Sequence, residues 1–147
     1  VLNRDLQWIA ARIPHSGNMC LLEAVTFWSD QEITCRSGTH RSADHPLRDS
    51  GGLGIVCGIE YAAQAMAVHG ALLAGDNAAP PPAGFLTSVR EVRWNTRYLN
   101  DVPGDLIVHA QRISGNDLAI LYSFSVQADG TELLGGRASV MLKAGAR

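Results

Sequence analysis

The stretch Gly58-Ile59-Glu60-Tyr61-Ala62-Ala63-Gln64-Ala65-Met66-Ala67-Val68-His69-Gly70-Ala71-Leu72-Leu73-Ala74 decides the fold. It contains no proline, and it predicts a helix over about 57–74 that Gly75-Asp76-Asn77 stops. Only Glu60, Gln64 and His69 carry strongly polar side chains in it. A helix that is apolar on nearly every face has to be enclosed by other structure. Ala62, Ala63, Ala67 and Gly70 are small enough for a sheet to approach the helix backbone closely.

The flanking sequence supplies that sheet. Before the helix, Leu2, Leu6, Ile9 and Ile13 recur at helical spacing and predict a short amphipathic helix that ends ahead of Pro14. Met19–Trp28 reads as an apolar strand, Ser29-Asp30-Gln31 as a turn, and Glu32–Thr39 as a second strand. A loop rich in Ser, Asp, Gly and Pro runs from about Arg41 to Gly54. After the helix, Ala78–Gly84 with its three consecutive prolines is a linker within the domain. Strands follow over Phe85–Asn95, Leu106–Ile113 and Leu118–Ala128, with a last one reaching about Leu142 after the Asp129-Gly130 turn. In the third of these Leu118, Ile120, Tyr122, Phe124 and Val126 alternate with polar residues, the pattern of a half-buried antiparallel strand. The order is α+β, a single domain over 1–147 in which a curved antiparallel sheet of five or six strands wraps one long helix.

With 46% hydrophobic and 18% charged residues the chain has the composition of a globular protein. A net charge of −2 carries no electrostatic footprint for nucleic acid or an anionic membrane. Cys20, Cys35 and Cys57 are odd in number and lack a CxxC, which argues against a disulfide framework or a zinc ribbon and for a reducing compartment. Arg4, Asp5 and Arg12 interrupt the apolar run that a secretory signal needs. Polar residues likewise interrupt the alanine-rich run of the long helix, so the expectation is a soluble, cytoplasmic protein without a membrane span.

Glu60 leads the candidates for chemistry. It lies in the first turns of the helix, with Gln64 one turn later on the same face. Between Arg48 and Arg90 there is no Lys or Arg to neutralise it. Burial favours the protonated form of a carboxylate, which suits general acid/base work. The plainer alternative is a charge favoured by the helix dipole and pointing at water. His40 and His45 lie in the loop before the helix, close enough in sequence to reach Glu60; a histidine opposite a carboxylate supplies two proton-transfer groups. Taken alone, each also reads as a solvated loop histidine. His15 reads as a turn residue, His69 as packing at a rim and His109 as a strand residue. No HExxH or Cys/His cluster indicates a metal. Gly51-Gly52-Leu53-Gly54 lacks the context of a phosphate loop; its glycines suit close approach of a chain or an acyl thioester.

These motifs stand in a familiar order. Ile13-Pro14-His15 with Met19-Cys20-Leu21-Leu22-Glu23-Ala24-Val25, then Ile59-Glu60-Tyr61-Ala62-Ala63-Gln64, then Val102-Pro103-Gly104-Asp105-Leu106, then Ala128-Asp129-Gly130 resemble the hotdog-fold dehydratases that act on 3-hydroxyacyl groups held by acyl carrier protein. Gly58 to Gly70 is more similar still to the subgroup associated with aryl polyene biosynthesis. The resemblance implies a homodimer with active sites at the subunit interface and no metal or redox cofactor. It also implies dehydration of a carrier-bound (or CoA-bound) 3-hydroxyacyl thioester to the trans-2-enoyl product. Within it His45 is the base, with His40 as the fallback, Glu60 serves the departing hydroxyl, and Gln64 orients Glu60 at the substrate site. Backbone N–H groups near Cys57 and Gly58 would hold the thioester oxygen. The chain departs from the family in the histidine motif: His45 lies one residue farther from Glu60, and the proline-rich core of the motif is gone. That departure motivates one other reading, a non-catalytic partner subunit, and the helix carboxylate supports another, a hotdog thioesterase in which Glu60 with Gln64 activates water.

Overall fold

The first described residues form a short strand that leads into a capped helix. Arg4–Asp5 pair with Val25 and Ala24 as a two-residue strand, β1, and the Asp5 carboxylate then accepts the Trp8 N–H at 3.0 Å to cap helix α1, Leu6–Ala10. The helix expected from Leu2 is therefore shorter and starts later. The computed structural model describes residues 4–12, 17–75 and 84–142. His15 and most of the proline-rich linker lie outside the described residues.

The remaining elements are β2 (Ala24–Trp28), β3 (Glu32–Ser37), α2 (Gly58–Ala74), β4 (Gly84–Trp94), β5 (Leu106–Gly115), β6 (Ala119–Ala128) and β7 (Thr131–Leu142). All strand pairs are antiparallel, and the sheet runs β1-β2-β3-β5-β6-β7-β4. It is the curved hotdog sheet around one long helix. The seventh strand, beyond the five or six expected, is the short β1.

Along β6 the side chains of Tyr122, Phe124 and Val126 are buried, as their alternation predicts, whereas Leu118, placed on the same face by that pattern, lies just ahead of the strand and is 59% exposed. The buried three meet Val25, Ile33, Cys35, Val108 and Ala110 from other strands, and Tyr61, Ala62, Ala65, Met66 and Val68 from α2, in one core. Each large side chain so buried contributes on the order of 1.5–3 kcal/mol. By length and composition Ile55–Ala74 could cross a membrane, but 56% of that apolar window is buried inside the domain. Gly58 permits a close approach: a Cβ there would stand 2.7 Å from Leu134 Cδ2 of β7. At the other end Gly75, at φ 85°, donates its N–H to Ala71 and Leu72 and ends the helix.

One expected strand is shorter than its sequence suggests. Residues 20–23 run under α2, where Leu21 has side-chain partners on both its N–H and its carbonyl, and β2 begins only at Ala24. At the other margin β4 bonds to β7 alone. Its outer edge has no strand partner among the described residues, and Phe85 and Trp94 on it are 54% and 63% exposed. Bulges at Leu86/Ser88 and Arg90/Arg93 interrupt its register, the second placing Glu91 at φ 55°.

Candidate active site

The beginning of α2 is where the polar groups collect. Gln64 is fully buried, and its amide has three partners. Oε1 accepts the Leu21 N–H at 2.9 Å, while Nε2 donates to Met19 O at 2.7 Å and to Glu60 Oε2 at 3.3 Å. A single side chain thus satisfies the strand-like segment beneath the helix and steadies the carboxylate one turn earlier. Glu60 itself is half-buried. Gln64 has no exposed surface, so any effect it has on a substrate runs through Glu60 or through residues 19–21.

His45 meets the same helix one residue on, at Tyr61. Only 5% of it is exposed, and its Nε2 lies 3.0 Å from the hydroxyl of Tyr61, the residue next to Glu60. Its Nδ1 accepts the Leu47 N–H at 3.1 Å. Burial first, then the charges of Arg48 and His40, push its pKa below the usual histidine range, so it is neutral at pH 7. Tyr61 is fully buried and its phenol is pushed up to about 12, chiefly by desolvation. Its oxygen lies 2.7 Å from Thr39 Oγ1, which donates to Leu21 O at 2.8 Å. Sequence reading missed Tyr61 and Thr39. A hydroxyl directly after Glu60 on an otherwise apolar helix was the available signal.

His40 is wholly buried one short turn earlier. Its Nε2 donates to Val102 O at 2.9 Å, and burial lowers its pKa against the pull of that carbonyl. Its Nδ1 is the one buried side-chain nitrogen or oxygen among the described residues without a hydrogen-bond partner. The next residue, Arg41, bonds Pro103 O at 3.0 Å and Asp105 Oδ1 at 2.7 Å. Val102-Pro103-Gly104-Asp105 therefore serves as the anchor of the histidine loop. The glycine-rich stretch is anchored nearby, with Leu53 N–H on Asn100 Oδ1 at 2.7 Å and Leu99 N–H on Leu53 O at 2.8 Å. At Gly52, where φ is 117°, a Cβ would stand 2.6 Å from Asn100 Oδ1. Close approach of chain to chain is thus what this glycine permits.

The proposed oxyanion donors need correction. The Cys57 N–H is spent on Gly54 O at 3.0 Å, and the Gly58 N–H on Ile55 O and Val56 O, because a 3-10 turn over Ile55–Cys57 runs directly into α2. Neither is free to bind a thioester oxygen. His69 also differs from its expected place at a rim: it is fully buried, with Nδ1 2.8 Å from the Tyr122 hydroxyl and Nε2 donating to Ser29 O at 2.7 Å. His109 is a strand residue bonded to Glu32 at 2.9 Å.

The comparisons with known proteins agree with this architecture. Among solved structures, the dehydratase heterocomplex ApeI:P from Xenorhabdus doucetiae matches with a TM-score of 0.82 at 23% identity, over 93% of this chain and 91% of that one. A mutant of the thioesterase PA1618 from Pseudomonas aeruginosa matches with a TM-score of 0.63 at 13% identity, over 95% and 94% of the two chains. Zebra fish thioesterase superfamily member 2 matches at 0.60 and 14% identity, over 93% and 94%. At these identities the likeness is one of fold. No curated protein matches in sequence. A family model described as ApeP-like, ApeP dehydratase, matches residues 7–145. With nearly its whole length accounted for by that model, the chain belongs to the ApeP-like dehydratase family.

Proposed function

We propose that this chain is one half of a paired hotdog dehydratase that removes water from a 3-hydroxyacyl thioester carried on acyl carrier protein, giving the trans-2-enoyl thioester in polyene- or fatty-acid-type chain building. The observation that carries the reading is the placement of His45 against Tyr61, which brings a neutral histidine to the helical turn where Gln64 holds the Glu60 carboxylate. In the reaction His45 takes the proton from the carbon next to the thioester carbonyl, and His40 stands behind it as the alternative base. Glu60 delivers a proton to the hydroxyl as the C–O bond breaks, so that water departs and the double bond forms. The thioester carbonyl acidifies the carbon, and the proton balance closes on the two side chains.

The partner is a second hotdog subunit. The unpaired edge of β4, with Phe85 and Trp94 exposed on it, is a surface that natural sheets cover. The ApeI:P match supports a pair of different subunits, and the open edge serves equally for two copies of this chain. Incubating a 3-hydroxyacyl carrier with this chain, alone and with a candidate partner, and reading the acyl mass tests the proposal. Loss of one water supports it; release of free carrier thiol instead would make the protein a thioesterase.

One observation favours a second reading. Neither His40 nor His45 turns more than 5% of its surface to solvent, and both nitrogens of His45 are bonded. A chain in which both histidines only brace the loop would be the non-catalytic member of the pair. Water loss that requires the partner and survives His45→Ala in this chain identifies that case.

A further inference from the structure

The hydrogen bonds around His45 have a forced direction. The Leu47 N–H can only donate, so Nδ1 must carry the lone pair and the ring proton must sit on Nε2. Nε2–H then donates to Tyr61 Oη, and the Tyr61 O–H, its own lone pair so engaged, donates to Thr39 Oγ1. Thr39 Oγ1 in turn donates to Leu21 O, a carbonyl that can only accept, or to Ser37 Oγ at 2.9 Å. Ser37 Oγ also donates to Leu21 O and receives the Thr39 N–H at 3.1 Å. Every member of the chain is satisfied in one direction, from a fixed backbone donor to a fixed backbone acceptor. The reverse direction would set a proton on Nδ1 against the Leu47 N–H.

We propose that Tyr61, backed by Thr39, is a positioning residue that locks His45 as the Nε2–H tautomer and leaves Nδ1 as its sole proton-accepting atom. The inference rests on the proposed dehydration only for its catalytic consequence; the tautomer itself is a property of the free chain. When Nδ1 takes a proton, the Leu47 N–H must give way and the ring becomes an imidazolium whose Nε2–H is held by Tyr61. The charged and titratable groups acting on His45 are Arg48 and His40, both disfavouring that charge, with Tyr61 in contact and Cys57 beside Tyr61. The Tyr61 oxygen is the acceptor that favours the charged ring. Tyr61 also explains why the histidine sits in apolar surroundings without an unmet donor.

Long-range proton–nitrogen NMR on protein with nitrogen-labelled histidine tests this. The wild-type chain is expected to show His45 as the Nε2–H tautomer with a slowly exchanging ring proton. In Tyr61→Phe that proton is expected to exchange at least tenfold faster, and Thr39→Ser, which keeps the hydroxyl, is expected to behave as wild type while Thr39→Val moves the same resonance. With active enzyme, Tyr61→Phe should lower kcat about tenfold to a hundredfold with KM within twofold, the range for losing a hydrogen bond to a group that becomes charged. An Nδ1–H tautomer in the wild type, or an unchanged ring proton in Tyr61→Phe, would overturn the proposal. If the resonances move as stated but no carrier substrate loses water, the positioning stands and the dehydratase reading fails.

Discussion

Replacing Gln64 with Leu separates the two tasks of one buried amide. Leucine nearly fills the same volume, so the change removes hydrogen bonds without opening a large cavity. It orphans the Leu21 N–H, on a residue with no exposure, and the Met19 carbonyl, which is only half-buried. An unsatisfied buried group costs about 1–3 kcal/mol, and the half-buried one recovers part of that from water. The sum is about 2–4 kcal/mol. At a urea dependence of roughly 2 kcal/mol/M for a domain of this size, the midpoint of unfolding falls by about 1–2 M. The same variant frees Glu60 from its 3.3 Å donor, so dehydration by the folded enzyme should fall as well. Equilibrium unfolding at fixed protein concentration reads the first effect, and turnover well below the transition reads the second. A midpoint within about 0.3 M of wild type would refute the reasoning, because Leu21 N–H would then have found another acceptor.

His45→Ala should abolish water loss while preserving carrier binding; His40→Ala should cost less than about tenfold in turnover yet lower stability, since it leaves a cavity and strips Val102 O of its donor. The reverse order would make His40 the base. Three buried histidines, His40, His45 and His69, have folded pKa values held below the unfolded value by burial. Between the folded and unfolded values the unfolded chain binds more protons, so their contribution is fully present above about pH 6.5 and is lost as pH falls toward the folded values, at up to about 1.4 kcal/mol per pH unit per histidine. Unfolding midpoints that stay flat from pH 7 to 5 would contradict this. Phe85→Arg on the open edge of β4 should separate the paired subunits in sedimentation, and the intact pair should bury more than about 2,000 Å² in total. An active monomer in the wild type would remove the shared-site account.

Much of the fold was legible because its signals were long and periodic. The helix over Gly58–Ala74 and the β6 alternation stand within a residue or two of their expected limits. The misjudged places are those where a side chain substitutes for a neighbouring strand. Residues 20–23 read as strand from their apolarity, yet the partners of Leu21 are the side chains of Gln64, Ser37 and Thr39, a contact spanning 43 positions in the case of Gln64. Arg4–Asp5 read as helix because spacing alone cannot show that Asp5 is a cap. At the site, Glu60 and Gln64 could be read from one helical turn, since four residues fix their relation. The histidines could be named but not placed, because a loop's course depends on the Val102–Asp105 segment that anchors it. The free N–H groups expected at Cys57 and Gly58 failed for a local reason, the 3-10 turn ahead of α2.

The most direct test of the central claim is the mass of a 3-hydroxyacyl chain on acyl carrier protein after incubation with the paired enzyme, carrying either native Glu60 or Glu60→Gln in this chain. The account predicts loss of one water with the native residue and at least a hundredfold slower loss with the folded variant, the usual scale for a general acid. Equal rates from the two, with the variant shown to be folded and paired, would contradict it.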